Sequence, residues 1–94
     1  MTGTSTLPIL FPMGRILLTA KAQAQLHPYD VRLALHRHCR GDWGEVCAAD
    51  AAKNELSITE GCCLRSAYTD RNGVEFWVIT EWDRSVTTVS LPEY

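Results

Sequence analysis

Thiols and imidazoles are the side chains of this chain that are best suited to metal or redox chemistry. They are His36, His38, Cys39, Cys47, Cys62 and Cys63. A zinc site needs four convergent ligands, which proteins usually supply as close pairs such as C-x₂-C or H-x₃-H. The spacing here differs. His36 and His38 are two apart on a predicted helix, so they point to different faces. Cys62 and Cys63 are adjacent on a predicted strand and also point apart. We predict no metal or cofactor, a core histidine and structural cysteines, with a metal or thiol redox module as an alternative.

Basic side chains recur along the same predicted helix. They are Arg32, His36, Arg37 and Arg40. A spacing of four residues places most of them on one helix face, which could meet phosphate or an acidic protein surface. No aromatic residue lies between these arginines, so stacking on single-stranded bases is poorly supported. A nucleic-acid-binding regulator is therefore an alternative, and a solvated helix face is the simpler interpretation.

Catalytic patterns are weak in this chain. All three histidines lie between His27 and His38, and no G-x-S-x-G motif supplies a nucleophile. Glu75 and Glu81 share a strand face but are six residues apart, about 20 Å at strand rise, too far for a paired acid and base. We predict no catalytic residues and a protein that is not an enzyme.

The motif G-D-W-G at residues 41–44 places a large aromatic between two glycines, just after a predicted helix. Trp43 either fills the core or stands out as a binding anchor, and a buried indole N–H would bond Asp42 or a carbonyl. Asn54, in the middle of a predicted helix, is expected to bridge backbone groups of the 41–44 loop. We assign structural roles to Gly41, Asp42, Gly44 and Asn54.

Length and charge limit the classes of protein that this chain can represent. Its 94 residues suffice for one domain, and its formal net charge of −2 does not attract DNA or anionic membrane. Its apolar runs fall short of the roughly 20 residues that span a bilayer, and its N-terminus lacks a signal-peptide pattern. We expect a cytoplasmic protein with no membrane partner and with reduced cysteines.

Periodicity predicts an α+β domain over residues 13–94, preceded by a flexible or extended segment, residues 1–12. A short strand at residues 15–18 is followed by three helices, near residues 20–26, 28–39 and 48–59. From residue 62 the period changes to two, and three strands follow, separated by turns at 70–73 and 81–84. The order β-α-α-α-β-β-β predicts helices packed on an antiparallel sheet. Val31, Ala34, Leu35 and His38 are expected to face inward from the second helix, and Ala49, Ala52 and Leu56 from the third.

The stretch W-V-I-T-E-W-D-R-S-V-T-T-V-S-L-P-E-Y, residues 77–94, predicts a partner-binding surface. Trp77 and Ile79 fall on one face of a strand, Phe76 and Val78 on the other. An apolar second face needs a cover: the 7–11 segment, another subunit or a different protein. The last strand is a candidate edge for pairing with a partner. The candidate partner-binding residues are Trp43, Trp77, Trp82, Asp83 and Arg84, and a homodimer joined through its sheet is expected.

The ordered combination of several motifs resembles a small bacterial protein family found on plasmids and other mobile elements. The matching motifs are F-P-M-G-R-I at 11–16, G-D-W-G at 41–44, Asn54, L-R-S-A-Y at 64–68, W-V-I-T-E-W-D-R-S-V-T-T at 77–88 and L-P-E-Y at 91–94. Trp82 departs from the small residue typical of the family. The resemblance implies a non-enzymatic accessory protein of mobile elements that acts by protein binding, with modulation of a host defence system as its proposed role.

Overall fold

Three helices and four strands follow one another in the computed structural model, which describes residues 8–92. They are β1 Arg15–Leu18, α1 Ala20–Gln25, α2 Pro28–His38, α3 Ala48–Glu60, β2 Leu64–Thr69, β3 Glu75–Thr80 and β4 Val86–Ser90. The predicted α+β class and the order β-α-α-α-β-β-β are confirmed. Part of the predicted N-terminal segment, residues 1–7, lies outside the described residues.

Local sequence signals set the helix ends. The Thr19 hydroxyl accepts a hydrogen bond from the backbone N–H of Ala22 and caps α1. Pro28 occupies the first turn of α2, where its missing N–H costs nothing. Gly61 ends α3 in the left-handed conformation, with φ of 76°. Each of these positions was predicted from residue type alone, because capping chemistry acts over only a few residues.

The sheet is mixed, in the order β1-β4-β3-β2. β2, β3 and β4 form an antiparallel meander, whereas β1 pairs in parallel with β4. The three helices of the long β1-to-β2 connection carry the chain across the sheet, and the meander then returns to place β4 beside β1. The prediction of an antiparallel sheet therefore holds for the meander only. The expectation that the last strand forms an edge is wrong, since β4 is an inner strand.

The edge of β2 is occupied by other parts of the chain. The Asn54 amide donates to the Arg65 carbonyl over 2.8 Å, and its oxygen accepts from the Arg65 N–H over 3.2 Å. Next to it, the Ala67 N–H donates to the Trp43 carbonyl and the Ala67 carbonyl accepts from the Glu45 N–H. Asn54 therefore bonds β2, and the prediction that it bridges backbone groups of the 41–44 loop is wrong. Asn54 and the backbone of residues 43 and 45 cover the same edge of β2.

Two apolar clusters lie between the helices and the sheet. The first joins α1 and α2 to the sheet and contains Ala22, Leu26, Val31, Ala34, Tyr68, Phe76, Val78 and Val89. The second contains Phe11, Cys39, Trp43 and Leu64. Phe11 therefore enters the core below the helices and does not cover the opposite face of the sheet.

The predicted inward face of α2 is confirmed: Val31, Ala34 and His38 are buried, and Leu35 is partly buried. The predicted inward face of α3 is wrong. Ala49, Ala52 and Leu56 are exposed, Leu56 to 65%, whereas Asn54 and Ser57 are buried. The reason is that α3 lies along the edge of β2. The backbone groups at that edge need hydrogen-bonding partners more than apolar contacts.

We expect Asn54→Ala to lower the free energy of unfolding by about 1–3 kcal/mol, because it leaves the N–H and C=O of Arg65 without their partners. Urea denaturation monitored by circular dichroism measures this loss. Lys53→Ala, at the exposed neighbouring position of α3, is the matched control and should change stability by less than about 0.5 kcal/mol. Equal effects of the two substitutions would contradict the role given to Asn54.

Candidate functional site on the open face of the sheet

The side chains that alternate away from the helices form one continuous surface, which we call the outer face. Its members are Arg15 and Leu17 of β1, Val86, Thr88 and Ser90 of β4, Glu75, Trp77 and Ile79 of β3, and Arg65, Ala67 and Thr69 of β2. The strand register aligns Leu17, Thr88, Ile79 and Arg65 in one row across the sheet. Ser90, Trp77 and Ala67 form the next row. Within residues 8–92, the helix residues of the two apolar clusters all lie on the opposite face of the sheet.

The outer face is less apolar than the alternation within β3 alone predicts. Trp77 and Ile79 are half-buried by their neighbours, and Val86 and Leu17 extend the apolar area toward β1. Thr88 and Ser90 interrupt it with hydroxyl groups. Such a mixed surface, with an aromatic at its centre, is typical of the interfaces of proteins that also exist free in water.

Trp77 is held in place from one side. The guanidinium carbon of Arg65 lies 4.7 Å from the centroid of the Trp77 ring, a cation–π arrangement. A second contact fixes the arginine, since its Nη2 donates to the Asp50 carboxylate of α3 over 3.0 Å. The indole is therefore oriented before any partner binds, which lowers the entropy cost of using it as an anchor.

Trp43 is a core residue and not an exposed anchor. Its ring stacks on Phe11 with centroids 6.1 Å apart, and its indole N–H donates to the Glu55 carboxylate over 2.9 Å. The flanking Gly41 and Gly44 both have positive φ, 85° and 72°. At Gly44 a Cβ atom would overlap the Ala67 carbonyl of the β2 edge, so glycine is required there.

Arg84 is also engaged inside the molecule. It adopts a positive φ of 62°, and its guanidinium donates to the carbonyls of Ser57 and Cys62 over 2.7 and 2.6 Å. A cation at the C-terminal end of α3 is favourable because the last carbonyls of a helix carry partial negative charge. Arg84 thus ties the β3–β4 turn to α3.

The neighbouring Trp82 and Asp83 of that turn are both exposed. Asp83 accepts hydrogen bonds from the N–H and the hydroxyl of Ser85, which lower the pKa of its carboxyl. Trp82 is 63% exposed. Among the five candidate partner-binding residues, Trp82 and Asp83 are exposed, Trp77 and Arg84 are partly exposed, and Trp43 is buried.

The predicted basic face of α2 is partly neutralised. The Arg37 guanidinium lies over the Tyr68 ring and donates to the Asp42 carboxylate over 2.7 and 3.1 Å. This pairing raises the pKa of Arg37 and lowers that of Asp42. Arg40, two residues beyond the end of α2, bends back and donates to the His36 carbonyl. Arg32 and the His36 ring are exposed, so the four residues do not act as one free cationic stripe.

The prediction of buried structural cysteines holds for one of the four thiols and is wrong for the other three. Cys39 is buried, whereas Cys47, Cys62 and Cys63 are exposed, and all four are free. Among residues 8–92, no group of three or more histidine, cysteine or acidic side chains is placed to hold a metal ion.

The sequence did not reveal the most connected polar group of the structure, a chain of hydrogen bonds centred on His38. Its Nδ1 lies 2.5 Å from the Ser66 hydroxyl and its Nε2 lies 2.9 Å from the Thr80 hydroxyl. Thr80 bonds Thr87 over 2.7 Å, and the Thr87 hydroxyl donates to the Met13 carbonyl. Because side chains alternate along each strand, the hydroxyls of Ser66, Thr80 and Thr87 fall at core positions beneath the inward face of α2. Hydroxyl residues at inward positions of three strands, below an inward histidine, were the sequence signal that could have revealed this network.

The His38 arrangement holds the fold together and is closed to substrate. The ring is fully buried, and both of its nitrogens have hydroxyl partners. Burial, together with the charge of Arg84, lowers the pKa of His38 to about 4. The imidazole is therefore neutral at pH 7, with one ring nitrogen donating and the other accepting.

The chain matches no protein-family model, no curated protein and no solved structure. The resemblance to a mobile-element family accordingly stays a prediction. Within the described residues, none of the helices combines the length and the apolar character that crossing a membrane requires.

We expect the free energy of unfolding to fall by about 2 kcal/mol between pH 7 and pH 5 because of His38. Its folded pKa of about 4 lies below the unfolded value of 6.5. Its neutral form is therefore favoured by folding, and stability is lost as the pH falls through 6.5 toward 4. Urea unfolding at the two pH values measures the loss.

His38→Gln should remove most of this pH dependence, whereas His36→Gln, on the exposed side of the same helix, should retain it. The same slope in His38→Gln as in the wild type would show that the buried imidazole is not its cause.

Proposed function

We propose that this chain is a non-enzymatic accessory protein that acts by binding another protein through the outer face of its sheet. The observation that carries the proposal is that Trp77 and Ile79 are partly exposed on the side of the sheet opposite the apolar clusters. An oriented tryptophan near the centre of a surface is the kind of residue that dominates binding energy at protein interfaces.

The outer face also defines the chemistry of the partner. Trp77, Ile79, Val86 and Leu17 favour an apolar centre on the partner surface. Arg15, exposed where β1 begins, favours an acidic group at the corresponding margin. Trp82 is exposed in the β3–β4 turn, at the same end of the sheet as Arg15. It can therefore extend the contact beyond the strands.

The rivals receive less support from the arrangement of side chains. A nucleic-acid regulator would depend on the basic residues of α2 and Arg40, but Arg37 is already paired with Asp42 and Arg40 donates to the last turn of α2. A metal module would need a group of ligands, and among residues 8–92 no three histidine, cysteine or acidic side chains are placed to hold a metal ion. The cytoplasmic setting, the mobile-element context and the modulation of a host defence system are further parts of the proposal, and the last two are supported by the family resemblance.

Substitutions on the outer face should abolish capture of the partner. A tagged chain is used to capture proteins from the native host, and Ile79→Lys and Trp77→Ser are compared with the wild type. We expect a partner that the wild type retains and both variants lose, because each removes apolar contact area from the centre of the face.

Leu33→Ser is the matched control, since Leu33 is an exposed apolar residue of α2, away from the outer face. It should retain the partner. Capture that survives both outer-face substitutions, or that is lost equally with Leu33→Ser, would overturn the proposal. Circular dichroism confirms that each variant is folded.

A further inference from the structure

Among residues 8–92, no strand or loop is bonded to the backbone groups on the outer edge of β1. On its paired side, the Arg15 N–H donates to the Ser85 carbonyl and the Thr19 N–H to the Val89 carbonyl. Backbone groups of alternate residues point to opposite sides of a strand, so Arg15, Leu17 and Thr19 face β4. Ile16 and Leu18 direct their N–H and C=O groups to the other side, where the sheet ends.

The side chains of β1 are open as well. Ile16, Leu17 and Leu18 are 40%, 41% and 37% exposed. The register with β4 puts Leu17 on the outer face and places Ile16 and Leu18 on the helix side. The helical layer thus stops short of β1, and this apolar strand is accessible from both faces and from its edge. Proteins usually protect such edges, because they pair readily with other strands.

We propose that β1 pairs antiparallel with β1 of a second copy of this chain, about a twofold axis that passes beside Leu17. This inference goes beyond the partner binding proposed above, because it uses the edge of the sheet and shares only Leu17 with the outer face. In this register Ile16 of one copy lies opposite Leu18 of the other. Because both residues direct their backbone groups to the edge, each such pair exchanges both of its N–H···O=C bonds.

The side chains fit the same register. Ile16 and Leu18 of the two copies meet on the helix side, and the two Leu17 side chains meet on the outer face. Arg15 of each copy falls opposite Thr19 of the other. The two arginines are then about 14 Å apart along the strands, beyond the screening length of about 8 Å at physiological salt. Parallel pairing in register would instead place them side by side.

The opposite edge of the sheet explains why a second copy, and only one, is the occupant. The Arg65 and Ala67 backbone groups of β2 are already bonded to Asn54 and to residues 43 and 45. Copies therefore cannot add at β2, and an assembly that begins at β1 is complete when two β1 strands have paired. Isologous pairing of this kind closes the assembly and prevents fibres.

The size of the contact predicts its strength. Three partly exposed apolar side chains and a short backbone ladder make an interface below the roughly 800 Å² per partner of standard stable complexes. We therefore expect a reversible dimer with a dissociation constant in the micromolar range.

Sedimentation velocity over a range of protein concentrations tests the proposal. The wild type should convert from monomer to dimer within the micromolar range. Leu17→Lys should weaken the dimer roughly tenfold or more, since it removes apolar area and places two cations at the axis. Ile16→Pro should do the same, because it deletes an N–H that faces the open edge and leaves those bonded to β4 in place.

Leu33→Lys, on the exposed side of α2, is the control and should dimerise as the wild type does. A wild type that stays monomeric at the highest concentration, or β1 variants that dimerise unchanged, would overturn the inference. Ile79→Lys separates the two proposals, because Ile79 lies two strands away from β1. It should lose the captured partner and keep the dimer, whereas Ile16→Pro, on the helix side and outside the outer face, should lose the dimer.

Discussion

The helical layer of this chain covers one face of its sheet and becomes thinner from β2 toward β1. α2 is fixed above β2 and β3 through His38, which bonds Ser66 and Thr80. α3 lies along the β2 edge through Asn54. α1, which packs on β4, is six residues long, and Ile16 and Leu18 of β1 stay exposed on the helix side. The open outer face and the open β1 edge both follow from this unequal coverage.

Polar side chains, more than apolar ones, decide where the elements sit. His38, Ser66, Thr80 and Thr87 occupy core positions, and each finds a partner there. Such a satisfied network specifies one arrangement of α2 on the sheet, because any shift would leave buried groups unpaired at a cost of about 1–3 kcal/mol each. Arg84 and Asp42 act in the same way at the turns. Residues that look suited to catalysis or to anion binding in the sequence are thus largely engaged in holding the fold.

Signals that act over a few neighbouring residues predicted the helices and strands well, whereas interactions between distant parts of the chain were missed. Thr19, Pro28 and Gly61 mark helix ends through chemistry confined to a few residues, and the period of α2 identified its buried face. The face of α3 was mispredicted because the hydrogen-bonding need of the β2 edge arises from another part of the chain. The place of β1 beside β4 was missed for the same reason. Within the candidate site, the alternation of β3 identified Trp77 and Ile79 as one face, whereas the burial of Trp43 depends on Phe11, 32 positions earlier.

Amide hydrogen exchange, followed by NMR at low and at high protein concentration, tests most directly whether the β1 side of the sheet is left open for a partner. We expect the amides of Ile16 and Leu18 to exchange rapidly in dilute solution and to become protected as the concentration rises. The amides of Arg65 and Ala67, on the covered edge, should be protected at both concentrations. Protection of Ile16 and Leu18 that is already present in dilute solution, or that never develops, would contradict this account.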